Sequence, residues 1–425
     1  MKLYHDYKKQ FRLVILGLLI IVPIAFSCAQ TAEELKAKIN QKNEDIVKLE
    51  QEIKKYQTQL NDLGKQKSSL NSSIQQLDLT RKKLIADISI TENKIEKTNL
   101  KIQELSLDIN NKEDLIDTDK EAIKLGIRQT NESELNNFMQ IILSENNFTE
   151  IWNDIEDMAS VRETIREKIV DLKQVKSDLE DTRQETTNAR NELVSLKNKL
   201  ADQKKIVDQN TVEKKKLLTQ TKNSEANYQK LLKENQAKIA VFEKELEDYE
   251  AQLKYILDPS VLPGKGVLSW PLDYVYITSH FGPRNVKGIS SFHKGIDFRA
   301  SVGTPVKAMA DGVVAGTGDT DVQCPGVSYG RFVLIKYNNG LAGTYAHLSL
   351  IKVSKGDTIK RGQIIGYSGN TGSSTGPHLH ISVYPRDAVD VKTLPSKSCP
   401  GRVLTQPIAA TNAYLKPLDY LPPYK

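Results

Sequence analysis

From residue 31 to residue 258 the chain has no proline and only two glycines, Gly64 and Gly126. A stretch this long that lacks the strongest helix breakers, and is dense in Lys, Glu, Gln, Asn, Leu and Ile, forms one long helix or a pair. Apolar side chains recur at Leu35, Ile39, Ile46, Leu49, Ile53, Tyr56, Leu60, Leu63, Leu70, Ile74, Leu77, Leu84, Ile88, Ile95, Ile102, Leu105, Ile109 and Ile116. Every gap is three, four or seven residues, so one heptad register holds from 35 to 116. At 1.5 Å per residue that helix would run on the order of 120 Å. Its apolar stripe is too narrow to sit on a globular core and needs a partner helix. Leu172, Val175, Leu179, Leu193, Leu196, Leu200, Val207, Leu217 and Leu231 repeat a weaker heptad and supply one. Antiparallel pairing within one chain is the economical arrangement. A parallel dimer, with self-association through the coil, is the alternative.

Residues 126–160 break the pattern. Gly126 and Asn131-Glu-Ser lead into Leu135, Phe138, Met139, Ile141, Ile142 and Leu143, followed by Phe148, Ile151, Trp152, Ile155 and Met158. This cluster is either a helical cap that buries its own side chains or a docking site for another protein.

Beyond residue 258 the composition changes. Short runs such as Val313-Val314, Phe332 to Tyr337, Gly343 to Ala346 and Ile364-Ile365-Gly366, separated by Gly, Asp and Asn turns, predict a compact β-domain. Four of the six histidines of the chain fall in 88 residues there, as His293-Lys-Gly-Ile-Asp297, His347 and His378-Leu-His380. On a strand, residues i and i+2 share a face, so His378 and His380 would enter one pocket. Imidazoles and a carboxylate at such spacings are what a catalytic zinc ion needs, with one position left open for water.

Trp270-Pro-Leu, Phe281-Gly-Pro-Arg284, His293 to Asp297, Gly303-Thr-Pro-Val306, Asp311-Gly-Val-Val314, Tyr345-Ala-His-Leu348, Gly369-Asn-Thr-Gly-Ser373 and Gly376-Pro-His-Leu-His380 together resemble the lysostaphin/LytM-type zinc murein endopeptidases. The resemblance covers about residues 266–422. It implies a mainly-β duplicated hybrid motif fold, zinc ligands at His293, Asp297 and His380, and a catalytic pair at His347 and His378. A histidine-based scheme also suits the composition, because no Glu occurs from 259 to 425 and no HExxH motif occurs anywhere.

The layout of signal segment, long coil, interrupted tip and LytM-type domain resembles the EnvC and PcsB class of division-associated murein hydrolase factors. That resemblance implies peptidoglycan as substrate and a coiled coil that engages an FtsEX-like membrane complex and restrains the hydrolytic module. EnvC-type proteins typically have a degenerate metal site and activate separate amidases, whereas this chain keeps all five residues. The enzyme reading is therefore preferred to that of a non-hydrolytic amidase activator.

Lys8, Lys9 and Arg12 precede an apolar run from Leu13 to Phe26 and then Ser27-Cys28-Ala29, the parts of a secretory signal. Cleavage after Ala29 is the preferred reading, with lipid attachment at Cys28 or a retained anchor as alternatives. The domains expected are a signal at 1–29, the coil at 30–258 and the metallopeptidase domain at 259–425, located in the cell envelope or secreted. Cys324 and Cys399 in an exported domain read most simply as one disulfide. Residues 259–425 hold 18 Lys or Arg against 9 Asp, a basic balance that suits either an anionic cell wall or a merely soluble surface. The export signal argues against nucleic acid as partner.

Overall fold

A computed structural model describes residues 32–63, 69–135, 148–253, 255, 262–284 and 292–424. The signal segment and the tip residues Phe138, Met139, Ile141, Ile142 and Leu143 lie outside the described residues. Four helices, α1 (Ala32–Leu63), α2 (Leu70–Leu135), α3 (Phe148–Thr221) and α4 (Glu225–Gln252), precede a mainly-β antiparallel domain. Among the described residues no helix is long and apolar enough to cross a membrane.

The single helix expected from 35 to 116 is two helices. At the start of α2, Ser69 Oγ accepts from the Ser72 N–H at 3.1 Å and Ser72 Oγ accepts from the Ser69 N–H at 2.9 Å. This reciprocal cap satisfies donors that a continuous helix would not leave free. The Leu70 N–H is taken by the Glu225 carboxylate at 2.7 Å. Heptad spacing reports which face is apolar and not where a helix ends, since Leu63 and Leu70 stand seven residues apart as in an unbroken heptad.

The chain divides into two compact units. The first comprises Met1–Asn43 and Glu96–Leu193. In it α1 runs antiparallel to α2, with Lys36 against Glu104 at 3.8 Å and Lys42 against Glu96 at 2.8 Å. The opposite side of α2 meets α3, also antiparallel, through Glu113 and Arg183 at 2.9 Å and Asp119 and Lys168 at 3.1 Å. Pairs like these, each with at least one exposed partner, fix register more than stability. Two partners make α2 bury two stripes, so Leu100 is buried as well as the heptad residues Leu105 and Ile116. The helix passes straight through Gly126, where a Cβ would meet the Ile165 side chain at 2.8 Å.

The second unit comprises Glu44–Ile95 and Val194–Lys425. Asp78 with Lys214 at 2.6 Å and Glu92 with Lys204 at 3.4 Å keep α2 and α3 antiparallel here too. After Thr221 the chain turns through Lys222 and Asn223, both in the left-handed region at φ 48° and 55°. Leu231 therefore falls on a separate helix, α4, instead of continuing the α3 heptad.

The strands are β1 (Ile277–Ser279), β2 (Gly282–Pro283), β3 (Phe292–His293), β4 (Ile296–Arg299), β5 (Pro305–Lys307), β6 (Gly312–Asp319) and β7 (Arg331–Tyr337). There follow β8 (Leu341–Ile351), β9 (Thr358–Ile359), β10 (Ile364–Ser368), β11 (His378–Pro385), β12 (Val389–Ser396) and β13 (Arg402–Ala409). One antiparallel sheet runs β1-β4-β11-β8-β7-β6-β9, with β10 joining β5 to β8. Its core includes Phe298, Val333, Ile335, Leu348, Leu379 and Ile381. The other face of β7, β8 and β11 is covered too: Leu334, Ala342 and Tyr384 pack with Val389, Ala409 and Tyr414. Burial on both faces explains why β8 reads as a continuous run without alternation. Cys324 and Cys399 form a disulfide with Cα atoms 5.9 Å apart.

Within this unit the helices pack on the β-domain. Leu84 and Ile206 form one cluster with Tyr367, and Asp202 receives Lys352 Nζ at 2.6 Å and the Tyr367 hydroxyl at 3.2 Å. Leu84→Ala is expected to cost about 2–4 kcal/mol, read as a lower urea midpoint with the helical signal retained before the transition.

Candidate metal centre

Strand pairing decides which side chains meet. In the β4–β11 pair Asp297 lies opposite His380 and Arg299 opposite His378. All four therefore project from the same face. His293 ends β3, and the two-residue step to Gly295 brings the chain against β11. A Cβ at Gly295 would sit 2.4 Å from the Ile381 carbonyl oxygen and 2.6 Å from the His380 ring. Glycine is what lets His293 and Asp297 reach His380.

His347 arrives differently. Between its pairs with Tyr345 and Leu348, β8 carries one more residue than β7 opposite. His347 lies in that bulge with φ 60°, a conformation that costs of order 1–3 kcal/mol for a side chain of this size and clusters at functional sites. The bulge re-aims its imidazole toward His378, with ring centroids 4.6 Å apart.

The structure thus gathers all five residues singled out in the sequence. His293 Nε2, Asp297 Oδ1 and His380 Nδ1 converge, at 3.1 Å between the two nitrogens and 3.2 and 2.9 Å from each to the carboxylate. The outer nitrogens fix the tautomers. His293 Nδ1–H donates to the His280 carbonyl at 2.9 Å, and His380 Nε2–H donates to Ser382 Oγ at 2.9 Å. Two imidazole lone pairs and a carboxylate oxygen then face one another in a buried spot, all within 4.8 Å. Three mutually repelling acceptors have no hydrogen to share, and a divalent cation is the group that fits them. The paired histidines are tied the same way: His347 Nδ1–H donates to the Thr371 carbonyl at 2.7 Å and His378 Nδ1–H to the Gly376 carbonyl at 2.8 Å. Each leaves a free Nε2 lone pair, and that of His378 lies 3.7 Å from Asp297 Oδ1.

Without a cation the repulsion is relieved only when a ring N–H of His293 or His380 turns to Asp297: burial alone would raise the Asp297 carboxyl, and such hydrogen bonds outweigh it and hold it far below the usual carboxylate range. Desolvation depresses His380 to about 4 and takes His347 well below its ordinary value, the latter helped by its His378 neighbour. Neutral imidazoles are the form that a cation or a transferable proton requires.

Several contributing residues carried no assigned role in the sequence. Arg284 donates to Asp297 Oδ2 at 2.7 Å, leaving Oδ1 for the cluster. Ser382 and Thr371 orient His380 and His347. Tyr329, half-buried with its ring 5.9 Å from that of His380, lines the same cleft, and desolvation pushes its hydroxyl well above the ordinary tyrosine value. The Phe281-Gly-Pro-Arg284 motif flagged Arg284; no sequence signal pointed to Tyr329.

His293→Ala and Asp297→Ala are each expected to lower metal affinity at least about 100-fold, measured by titration against a competing chelator. In the metal-free chain His380 titrates at about 4 when folded against 6.5 when unfolded. The unfolded state takes up this proton first, so stability falls as pH drops through that window. Urea midpoints recorded from pH 7 to 4 should fall less steeply for His380→Gln.

Residues 291–391 match the model of peptidase family M23. Over 126 residues the chain is 42% identical to the DD-carboxypeptidase/endopeptidase Mpg of Neisseria meningitidis, spanning 29% of this chain and 28% of that protein. It is 37% identical over 148 residues to the peptidoglycan DD-endopeptidase ShyA of Vibrio cholerae, covering 33% of each. It is also 37% identical over 135 residues to the cell division protein DipM of Caulobacter vibrioides, covering 32% of this chain and 21% of that one. The chain spans a third or less of the length of these relatives.

Proposed function

From the premise that the β-domain is a peptidase family M23 domain, we propose that the chain is an exported, zinc-dependent peptidoglycan endopeptidase restrained by its own helices. The convergence of His293, Asp297 and His380, with two further imidazoles beside them, carries this reading. Zinc bound there supplies Lewis acidity for the scissile carbonyl and an acidified water. The protein's own groups do the rest. His347 and His378 present Nε2 lone pairs that accept the proton of the attacking water and return it to the leaving amine. Arg284 holds Asp297 in place, and Tyr329, Phe292 and Ser374 line the cleft that receives the peptide. The intact donor set favours hydrolysis over an EnvC-like role as activator of a separate amidase.

Restraint falls to α4. Phe242, Glu243, Leu246 and Glu247 line the same cleft as the metal centre. Phe242 and Leu246 pack on the Cys324–Cys399 disulfide. Glu250, fully buried, takes Lys294 Nζ at 2.5 Å and the Tyr414 hydroxyl at 2.5 Å, which ties α4 to the neighbour of His293. Burial raises the Glu250 carboxyl despite that cation. A helix so placed competes with a substrate polymer for the cleft. Release of α4 by an FtsEX-like membrane complex acting through the helical tip, during cell division or wall remodelling in the envelope, completes the proposal. The names of the ShyA and DipM relatives support the substrate and the setting.

Zinc-loaded residues 259–425 should release peptides from purified peptidoglycan at least about tenfold faster than the full chain. Phe242→Asp in the full chain should close most of that gap, and His347→Ala should abolish release while zinc stays bound. Equal rates for the domain and the full chain would remove the restraint; no release from either would remove the endopeptidase reading.

A further inference from the structure

The cleft contains three cations from the β-domain, Arg284, Lys294 and Arg299. Two are neutralised by protein carboxylates, Arg284 by Asp297 and Lys294 by Glu250. Arg299 is different: it is exposed, and among the described residues no carboxylate pairs with it. Its position is nonetheless well defined. Its backbone N–H donates to the Tyr276 carbonyl at 2.8 Å, and its guanidinium lies over the Tyr276 ring, 4.1 Å from the centroid. Stacking uses the flat face of the guanidinium and leaves the N–H edges free for a planar, bidentate acceptor. A solvated surface arginine has no need of such a support.

Register places this edge relative to the chemistry. Arg299 lies two residues beyond Asp297 on the same face of β4 and directly opposite the catalytic-pair histidine His378. Two strand residues span about 7 Å, roughly the distance from a scissile carbonyl to a group on the adjoining residue of an extended peptide. Any anion held by Arg299 is therefore one residue from the bond being cut.

Resting on the endopeptidase reading above, we propose that Arg299, supported by Tyr276, is a specificity-determining residue that binds a free carboxylate on the substrate residue adjoining the scissile amide. The fork geometry selects a carboxylate over its carboxamide, because a charge-assisted bidentate pair is lost and a cation is left facing a neutral group. Residues 259–425 contribute no glutamate and a basic balance that draws an anionic peptide to the cleft, and the α4 residues Glu243 and Glu247 that line it do not pair with Arg299.

The test uses the zinc-loaded full chain and two forms of one cross-linked peptide dimer from peptidoglycan, with the carboxylate beside the cross-link amide either free or converted to the carboxamide. The wild-type chain should cleave the free form with a kcat/KM at least about tenfold above that of the amidated form. Arg299→Met should bring that ratio near unity, and Tyr276→Leu and Arg299→Lys should give intermediate ratios, since one loses the support and the other the fork. An unchanged ratio in Arg299→Met, or no preference in the wild type, overturns the assignment. Cleavage of neither form by the wild type or by the derestrained Phe242→Asp chain counts against the endopeptidase reading alone. Equilibrium binding of the same two peptides then decides the Arg299 assignment: wild-type preference for the free form that Arg299→Met abolishes supports it, and equal affinities overturn it.

Discussion

The register of β4 against β11 is the constraint on which the functional part of this molecule depends. Side chains alternate across a strand, so a slip of one residue would send Asp297 and His380 to the opposite face and dissolve the cluster. The pairing is held by burial on both faces: Ile296 and Phe298 interleave with Leu379 and Ile381 in the core while the histidines and Asp297 face the cleft. Gly295 contributes by what it lacks, since any side chain there would collide with β11 and force the two strands apart.

Around that register the protein builds a set of acceptors unstable by themselves. Each imidazole has its outer nitrogen committed to a carbonyl or hydroxyl, and Arg284 takes the far oxygen of Asp297. The charge of the site is thereby arranged before any ligand arrives. His347 carries a local cost, a left-handed backbone at a non-glycine residue, and the bulge in β8 sets its orientation.

The helices interact with this domain by two kinds of contact. Leu84 and Ile206 against Tyr367 form an apolar seam, whereas Glu250 buries a carboxylate against Lys294 and Tyr414. A buried ion pair adds little net stability because desolvation offsets the attraction, but it specifies one docking geometry. The seam supplies adhesion and the ion pair supplies orientation. Such a balance suits a helix whose displacement from a cleft has consequences.

The histidine spacing and the prolines missing from 31–258 made the two parts of the chain, and the candidate donor set of the second, legible without coordinates. HxH reports local geometry, because strand alternation converts sequence separation directly into a shared face, whereas HxxxD spans the end of β3 and the start of β4 and needs the close approach at Gly295. The heptads likewise revealed which faces are apolar, yet not that α1 ends at Leu63 and α2 begins at Leu70, because the seven-residue spacing between those two leucines reads the same as an unbroken heptad. Nor could they show that α2 has two partners, that the bulge at His347 redirects a side chain, or that Glu250 reaches Lys294 across 44 residues of sequence. Those are contacts between elements distant in the chain, decided by packing and by the desolvation of particular pairs. The sequence by itself determined the kinds of element and the donor atoms; only the tertiary structure decided which of them meet, because meeting depends on register and packing that no local spacing encodes.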